Sequence, residues 1–269
     1  MPLLDSLCRG YQKLFYHHHP EEAQLVELHS TGQQEAFLEA YFQHEYEKGQ
    51  QIIARFDAIT TAWKNQEVLD FGCGAGGLTY RIAEHSKHVT GIDIEAYKLD
   101  FARKQAERLG TQPVEFICYD GEEIPLEKER FGAIFCIDVI EHLPTPDKFL
   151  QDFYRLLQPG GLLLISFGPP WFHAHGKHMW AKLPGWWTHL IFPRSVVMRV
   201  SGFPEITTWE QLGMHKLSVS KFEKLIRNST FQTVYLDRRI NRVVYPIKFI
   251  PLIRELFISE VVGVFRKPK

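Results

Sequence analysis

The chain lacks a surplus of charge of either sign, paired cysteines and long apolar runs. Its 269 residues carry 31 Lys and Arg against 32 Asp and Glu, so no overall charge favours binding to nucleic acid. The four cysteines form no CxxC pair, which favours reduced thiols in a cytoplasmic protein. No stretch reaches about 18 apolar residues, so the sequence predicts no transmembrane helix.

Short apolar runs separated by helical patterns begin at residue 67. The runs predict strands over 67–72, 88–93, 113–120, 131–138, 161–167, 231–237 and 259–265. Strands that are apolar on both faces and alternate with helices are typical of a parallel sheet covered on both sides. No crossover helix is evident between the last two runs, so we expect an antiparallel pair at that edge.

Helical patterns fill most of the intervals between these strands. We expect helices over 33–58, 76–86 and 95–109, after Thr145-Pro146-Asp147, and near 220–228. Pro146 suits a first helical turn, and Ser220 with Glu223 resembles a capping box. The pattern divides the chain into a helical cap over 1–64 and an α/β domain over 65–269.

The strongest local signal is the segment VLDFGCGAGG at 68–77. It reads as a strand, a glycine-rich turn and the start of a helix, which is where an open α/β sheet binds its ligand. Gly72, Gly74 and Gly77 also fit the dinucleotide spacing G-x-G-x-x-G, so a nicotinamide-dependent oxidoreductase is one interpretation. Asp70 argues against it, because a carboxylate beside the loop repels a pyrophosphate but suits an ammonium and a sulfonium.

Two further acids stand at the ends of the next two predicted strands. Asp93 is placed to accept both hydroxyls of a ribose, and Asp120 to accept from an adenine amino group. Three acids at three successive strand ends predict a site for an adenosine-containing cation. The alternative is that each acid merely caps the helix that follows it.

Together these segments resemble the class I S-adenosylmethionine-dependent methyltransferases, particularly those with small-molecule acceptors. The resemblance covers 65–167 through VLDFGCGAGG, GIDIEAYKLDFARKQ, CYDGEEIPL, FGAIFCIDVIEHLP and LQPGGLLLIS. It implies a doubly wound, Rossmann-like α/β sheet of seven mostly parallel strands with an antiparallel last strand. The cofactor contacts that it implies fall on Asp70, Gly72, Cys73, Gly74, Asp93, Ile94, Asp120, Gly121 and Asp138.

The segment CIDVIEHLP at 136–144 places three polar side chains after the fourth predicted strand. A helical turn there would put Asp138, Glu141 and His142 on one face. Three interpretations are open. The segment is a structural turn, it supplies His142 as a metal-free base with Glu141 beside it, or it binds a divalent metal ion such as Mg²⁺. The pattern resembles that of the quinone-precursor O-methyltransferases and the small-RNA 2′-O-methyltransferases. By that resemblance the metal ligands would be Asp138, Glu141, His142 and His215. Those families have glutamate where this chain has Asp138.

The segment 168–215 is rich in aromatic residues and histidine. It contains five of the six tryptophans, and in the fold implied by the resemblance it follows a strand whose end faces the methyl donor. We expect it to form an acceptor-binding insertion, with His178 as a candidate base, or alternatively a lid with a small core of its own. The candidate acceptor contacts are Trp171, His175, His178, Trp180 and His215.

The function that the sequence predicts is methyl transfer from S-adenosylmethionine to a small molecule. The expected acceptor is a hydroxyl of an aromatic, lipophilic or natural-product-like compound, with metal-assisted methylation of a quinone precursor or sugar as an alternative. A non-catalytic adenosyl-ligand-binding protein is a third class. The basic and apolar segment 238–256 suggests peripheral membrane contact or a loop packed on the sheet.

Overall fold

A single seven-stranded sheet organises the computed structural model, which describes residues 2–15, 27–28, 32–110, 113–178, 183–240, 242–250 and 253–269. Its strands are β1 Glu67–Phe71, β2 His88–Asp93, β3 Val114–Cys118, β4 Phe131–Ile137, β5 Leu157–Phe167, β6 Gln232–Ile240 and β7 Ile258–Arg266. The strand order is β3-β2-β1-β4-β5-β7-β6, and β7 runs antiparallel to both neighbours. The expected mostly parallel sheet with a reversed last strand is therefore confirmed.

Eight α-helices are present in the described parts of the chain. They are α1 Pro2–Leu14, α2 Gln34–Asp57, α3 Gly77–Ala83, α4 Ala96–Leu109, α5 Pro146–Leu156, α6 Thr188–Ile191, α7 Arg194–Val200 and α8 Val219–Asn228. Short 3-10 segments occupy Ile140–His142, Glu210–Leu212, Arg242–Phe249 and Ile253–Leu256. No helix among the described residues is long and apolar enough to cross a membrane.

The two faces of the sheet bury separate apolar clusters, because successive side chains of a strand point to opposite faces. Leu69 and Ile134 pack with α5 and α8 on one face. Val68 and Phe135 pack with the C-terminal half of α2 and with α3 on the other. Every central strand is therefore covered on both sides, which explains its continuous apolar run.

The two helices described within 1–64 pack against different parts of the molecule. Asp5 of α1 forms an ion pair with Arg199 of α7, 2.5 Å apart, within the insertion. The buried residues of α2 pack instead on α3 and α4 beside the sheet. The expected N-terminal cap thus contains one helix that belongs with the insertion and one that belongs with the core.

The sheet has one position where the chain direction across it reverses. From β1 the chain passes to β2 and β3 on one side, and then returns to β4 and β5 on the other. In open α/β sheets the crevice at this position, beyond the carboxyl ends of the strands, receives the ligand. Here it lies between the ends of β1 and β4, where the glycine loop and the segment CIDVIEHLP meet.

The capping box expected at Ser220 and Glu223 is wrong. The helix α8 begins earlier, and Ser218 caps it by accepting a hydrogen bond from the Lys221 amide at 3.2 Å. The buried Glu255 carboxylate accepts from the amides of Val219 and Ser220, at 3.0 and 2.7 Å. A distant carboxylate therefore satisfies the orphan donors that a capping box would have served.

A matched pair of glycine substitutions tests the packing of α2 on the core. A Cβ at Gly77 would lie 2.5 Å from the Phe42 carbonyl oxygen and 2.7 Å from the Tyr46 amide nitrogen, both backbone atoms of α2. Gly77→Ala should lower the free energy of unfolding by about 1–3 kcal/mol. Gly10→Ala, where nothing lies within 4 Å, should raise it by about 0.5–1 kcal/mol. Urea denaturation of both variants checks this, and shifts of the same sign would contradict it.

Candidate active site

The turn after β1 has a backbone that favours glycine. Gly72, Gly74 and Gly76 have φ of 76°, 53° and 87°, in the region that L side chains rarely adopt. A Cβ at Gly72 would also lie 2.4 Å from a methyl group of Val139 in the turn after β4. The glycines therefore let the ends of β1 and β4 approach closely.

Asp70 lies buried at the end of β1 and accepts a hydrogen bond from the Thr79 hydroxyl at 2.6 Å. Burial raises the pKa of Asp70 to about 7, against the lowering effect of Thr79, and the nearby carboxylates of Glu45 and Asp93 raise it further. A bound cation would favour the charged form of Asp70.

Asp93 ends β2 and fixes the glycine loop. Its two carboxylate oxygens accept hydrogen bonds from the amides of Gly74 and Glu95, both at 2.9 Å. Each carboxylate oxygen can accept a second hydrogen bond. The carboxylate is therefore held in place and can still receive two hydroxyl donors from a ribose.

An apolar slot with a polar edge lies beside Asp93. The side chain of Ile94 is 58% exposed, and a Cβ at Gly121 would lie 3.6 Å from its Cγ2 atom. One oxygen of Asp120 accepts from the amides of Glu122 and Glu123, at 2.9 and 3.4 Å, and these bonds lower the pKa of Asp120. The other Asp120 oxygen remains available, so the slot suits a flat base with an exocyclic amino group.

Three polar residues of α2 lie over this crevice, and the sequence reasoning missed them. The ring of Tyr41 comes within 3.0 Å of where a Cβ of Gly74 would be. Burial raises the pKa of Glu45, and Lys48 forms an ion pair with Asp138 at 2.6 Å. Their i, i+4, i+7 spacing on an otherwise apolar helix face was a signal in the sequence.

A second cluster stands at the end of β4, formed by Glu141, His142 and His178. One potential ligand atom from each lies within 4.8 Å of the other two. Glu141 is 5% exposed, and neither of its carboxylate oxygens has a hydrogen-bond partner. The amides of Glu141 and Gly168 lie close enough to favour the charged carboxylate without reaching hydrogen-bond geometry. Burial, followed by the charge of Asp138, raises the pKa of Glu141 well above its usual range.

Backbone carbonyls orient both imidazole rings of this cluster. His142 Nδ1 lies 2.8 Å from the Gly213 oxygen, and His178 Nε2 lies 3.0 Å from the Pro169 oxygen. A carbonyl can only accept, so each of these nitrogens carries the proton. Burial lowers the pKa of His178 to about 4, which keeps that ring neutral. His178 Nδ1 therefore remains as a lone-pair donor, and Nε2 is the nitrogen of His142 that the Gly213 carbonyl does not engage.

The cluster differs from the metal set expected from the sequence. His178 is a member where His215 was expected, and Asp138 is paired with Lys48 instead. His215 and the buried Trp171 line the same small cavity as the cluster. That cavity, of about 10 Å³, has room for about one water-sized particle.

One expected acceptor contact is not placed at this cavity, and another cannot be compared with it. His175 lies with its ring 5.8 Å from that of His173 and 6.3 Å from that of Trp186, and it does not line the cavity. Trp180 lies outside the described residues. A larger cavity of about 1080 Å³, lined by parts of 32–39 and 97–105, lies away from the cluster.

Comparison with known families identifies the central region. The family model described as "Methyltransferase domain" matches residues 69–165, the stretch that carries the glycine loop and the strand-end acids. This region is therefore similar to a methyltransferase domain. It extends from β1 to β5, so both clusters at the strand ends draw residues from it.

Curated relatives match over the same domain. The ubiquinone biosynthesis O-methyltransferase of Coxiella burnetii is 35% identical over 103 residues, which are 38% of this chain and 44% of that protein. The enzyme of the same name from Actinobacillus pleuropneumoniae is 36% identical over 108 residues, 38% of this chain and 45% of that protein. The match therefore spans less than half the length of these relatives.

Solved structures share the fold over more of the chain. A methyltransferase from Mesorhizobium loti has a TM-score of 0.56 at 16% identity, over 79% of this chain and 96% of its own. A phosphoethanolamine N-methyltransferase from Haemonchus contortus, 17% identical, has the same TM-score over 82% and 53%. The [4+2]-cyclase SpnF also has a TM-score of 0.56, at 17% identity over 81% and 80%. The fold thus carries several reactions, and the site has to decide between them.

The role of Asp93 is tested by binding of S-adenosylhomocysteine. Asp93→Asn removes the charge and one acceptor oxygen, and since hydrogen bonds to a charged group contribute about 1.5–3 kcal/mol, affinity should fall roughly ten- to hundredfold. The control is Asp100→Asn, because Asp100 is an exposed residue of α4 that pairs with Arg103. Isothermal titration calorimetry measures both, and equal affinities would contradict the assignment.

The raised pKa of Asp70 predicts a proton linkage. Its pKa of about 7 in the free protein falls when a sulfonium binds beside it, so binding of S-adenosylmethionine should release a proton near pH 7. Affinity should weaken as the pH drops below 7, by up to about tenfold per pH unit. Calorimetry in two buffers of different ionisation enthalpy counts the protons. At pH 7, where Asp70 is about half protonated in the free protein, Asp70→Asn should release about half a proton fewer than Asp100→Asn, and identical counts would refute the linkage.

Proposed function

We propose that this protein transfers the methyl group of S-adenosylmethionine to a hydroxyl of a small, largely apolar acceptor. The observation that carries the proposal is the buried, unpartnered Glu141 beside the free nitrogens of His142 and His178. These groups can accept or hold a hydroxyl proton, and they lie at the end of β4 next to the glycine loop. The O-methyltransferase names of the curated relatives support the same acceptor atom.

The residues of the crevice fit the methyl donor. Asp70 would face its charged methionine part, Asp93 its ribose, and Ile94 with Asp120 its adenine. Bound there, S-adenosylmethionine supplies a methyl group activated by a sulfonium. The buried Asp70 carboxylate favours this cation over the pyrophosphate of a nicotinamide cofactor, so the oxidoreductase alternative is disfavoured.

The protein's own contribution to the reaction would be alignment and proton removal. An imidazole of the cluster would accept the acceptor's proton. The low pKa of His178 leaves that ring unprotonated but also makes it a weak base, which favours His142 for this step. Trp171 and the turn that bears His215 wall the small cavity and exclude bulk water from it. Holding the hydroxyl in line with the methyl group would supply most of the rate enhancement.

The cluster also fits a divalent metal ion. A buried carboxylate without a partner and two oriented imidazoles form a donor set of one oxygen and two nitrogens. Imidazole ligands favour Zn²⁺, Fe²⁺ or similar ions over the Mg²⁺ that two carboxylates would have suggested. An ion held by Glu141, His142 and His178 would lower the pKa of an acceptor hydroxyl.

A groove next to the cluster supports an apolar acceptor that bears a negative charge, because basic residues outnumber acidic ones in its lining. It has a volume of about 340 Å³ and is lined by Leu143 and Leu225, the basic Lys221 and Lys224, and the acidic Asp147. His215 and Leu217 line both this groove and the small cavity of the cluster. An acceptor lying in the groove could therefore present its hydroxyl to the cluster.

A screen of acceptor classes tests the proposal. Phenols and catechols with apolar substituents, polyketide phenols, sugars and amines are incubated with S-adenosylmethionine, and released S-adenosylhomocysteine is measured by mass spectrometry. Turnover should be fastest with an apolar phenol or catechol that carries a carboxylate. Turnover with amines alone, or none with any acceptor while S-adenosylhomocysteine still binds, would refute hydroxyl methylation.

Substitution of Glu141 tests the cluster with the best acceptor from that screen. Glu141→Gln removes the charge with little change of shape and should lower kcat at least about a hundredfold, and Mn²⁺ and Zn²⁺ should bind the wild type but not the variant. His85→Gln is the control, because His85 packs on Trp63, outside the cluster. Turnover in a chelator separates the two roles of the cluster: loss of turnover would assign the reaction to a bound ion, and full activity would reject the metal and assign the loss in Glu141→Gln to proton transfer.

A further inference from the structure

The first helix carries a row of leucines that faces away from the protein. Leu3 is 73% exposed, Leu7 54% and Leu14 77%. At about 100° per residue they fall within roughly 40° of one another around the α1 axis. We call Leu3, Leu7 and Leu14 the leucine face. Single exposed leucines need no explanation, but an aligned row on one helix does.

The opposite side of α1 attaches to the insertion through both polar and apolar groups, among them the ring of Tyr11, which lies 5.6 Å from that of Phe192. Asp5 pairs with Arg199, and the buried Gln12 donates a hydrogen bond to the Ser201 hydroxyl at 3.2 Å. Cys8 alone of the helix joins the buried cluster of the insertion. The orientation of α1 is thus fixed by specific contacts that leave its leucines in solvent.

One basic residue, Lys13, lies beside the leucine face, and a second, Arg9, lies farther round on the same side. Both are exposed, and neither has an acidic partner in the salt bridges that join the described residues. Lys13 lies about 80° around the helix from Leu3, and Arg9 about 120°. A helix with an apolar face bordered by a basic polar side is typical of segments that lie in the interface of a membrane with anionic lipids.

The apolar surface continues from α1 onto the insertion. The ring of Phe15 lies 5.8 Å from that of Trp186, which is 39% exposed, and Ile191 is 52% exposed. Cys8 beneath the helix packs in the same cluster as Trp171, and Trp171 lines the cavity of Glu141, His142 and His178. Any external surface on which α1 docks would therefore lie close to the candidate active site.

We propose that the leucine face docks on a lipid bilayer containing anionic lipids, with α1 lying in the plane of its surface. The three leucines alone offer much less than the about 800 Å² that each partner of a stable dimer contributes. A second copy would also offer Arg9 and Lys13 no free acid on its own α1, since Asp5 is the acid of that helix and is already paired with Arg199. This inference does not depend on the proposed function.

Vesicle co-sedimentation of the full chain tests the docking. The wild type should bind vesicles of phosphatidylcholine with phosphatidylglycerol, and more weakly those of phosphatidylcholine alone. A triple variant, Leu3→Gln, Leu7→Gln and Leu14→Gln, keeps helix propensity and should lower the partition coefficient at least about tenfold. Arg9→Gln with Lys13→Gln should remove the preference for the anionic vesicles.

The matched control replaces exposed apolar residues elsewhere, Val234→Gln with Tyr235→Gln on the edge strand β6, which are 43% and 37% exposed. It should bind vesicles like the wild type. Circular dichroism and S-adenosylhomocysteine affinity should be the same in all variants, so loss of vesicle binding is separable from misfolding and from failure of the proposed function. Equal sedimentation of wild type and triple variant would overturn the inference, and so would a dimer in solution that the triple variant converts to monomer.

Discussion

The site depends on a concentration of carboxylates at the reversal point of the sheet. Asp70 is buried near the end of β1, Asp138 follows β4, and α2 adds Glu45 above them, with Lys48 paired to Asp138. Burial raises the pKa of both Asp70 and Glu45, and neighbouring carboxylates raise each of them further. Such an arrangement is unfavourable without a counter-charge. It therefore selects for a cationic ligand and disfavours a phosphate, whatever else the surrounding loops recognise.

The same crevice divides into two chemical zones. On the side of β1 and β2, oriented carboxylates suit a charged nucleoside, and backbone amides fix Asp93 in place. Beyond β4, Glu141 lies beside the imidazoles of His142 and His178 and has no hydrogen-bond partner of its own. The first zone suits binding and the second suits proton or metal chemistry. Because the two zones are separate, the carboxylates that suit the cofactor and the groups that suit proton or metal chemistry do not have to pair with one another.

The insertion combines the two roles that its composition suggested. Trp171 and Trp209 are buried in a cluster of the insertion's own, as expected of a lid with a small core. Trp171 also lines the cavity of the histidine cluster, as expected of an acceptor pocket. Because α1 completes that core through Cys8, the first helix, the insertion and the cavity form one packed unit. A continuous set of packed side chains therefore joins α1 to the wall of the cavity.

The sequence by itself determined the order of strands and helices, the glycine turn, and the acids at the strand ends, because these follow from periodicity and short-range spacing. It did not determine which distant segments meet. Tyr41 and Lys48 reach the crevice only because α2 packs across α3, and Glu255 caps α8 from 36 residues beyond Val219. His178 rather than His215 joins Glu141 because the insertion folds back over the end of β4. Such contacts are decided by tertiary packing, which no local pattern encodes.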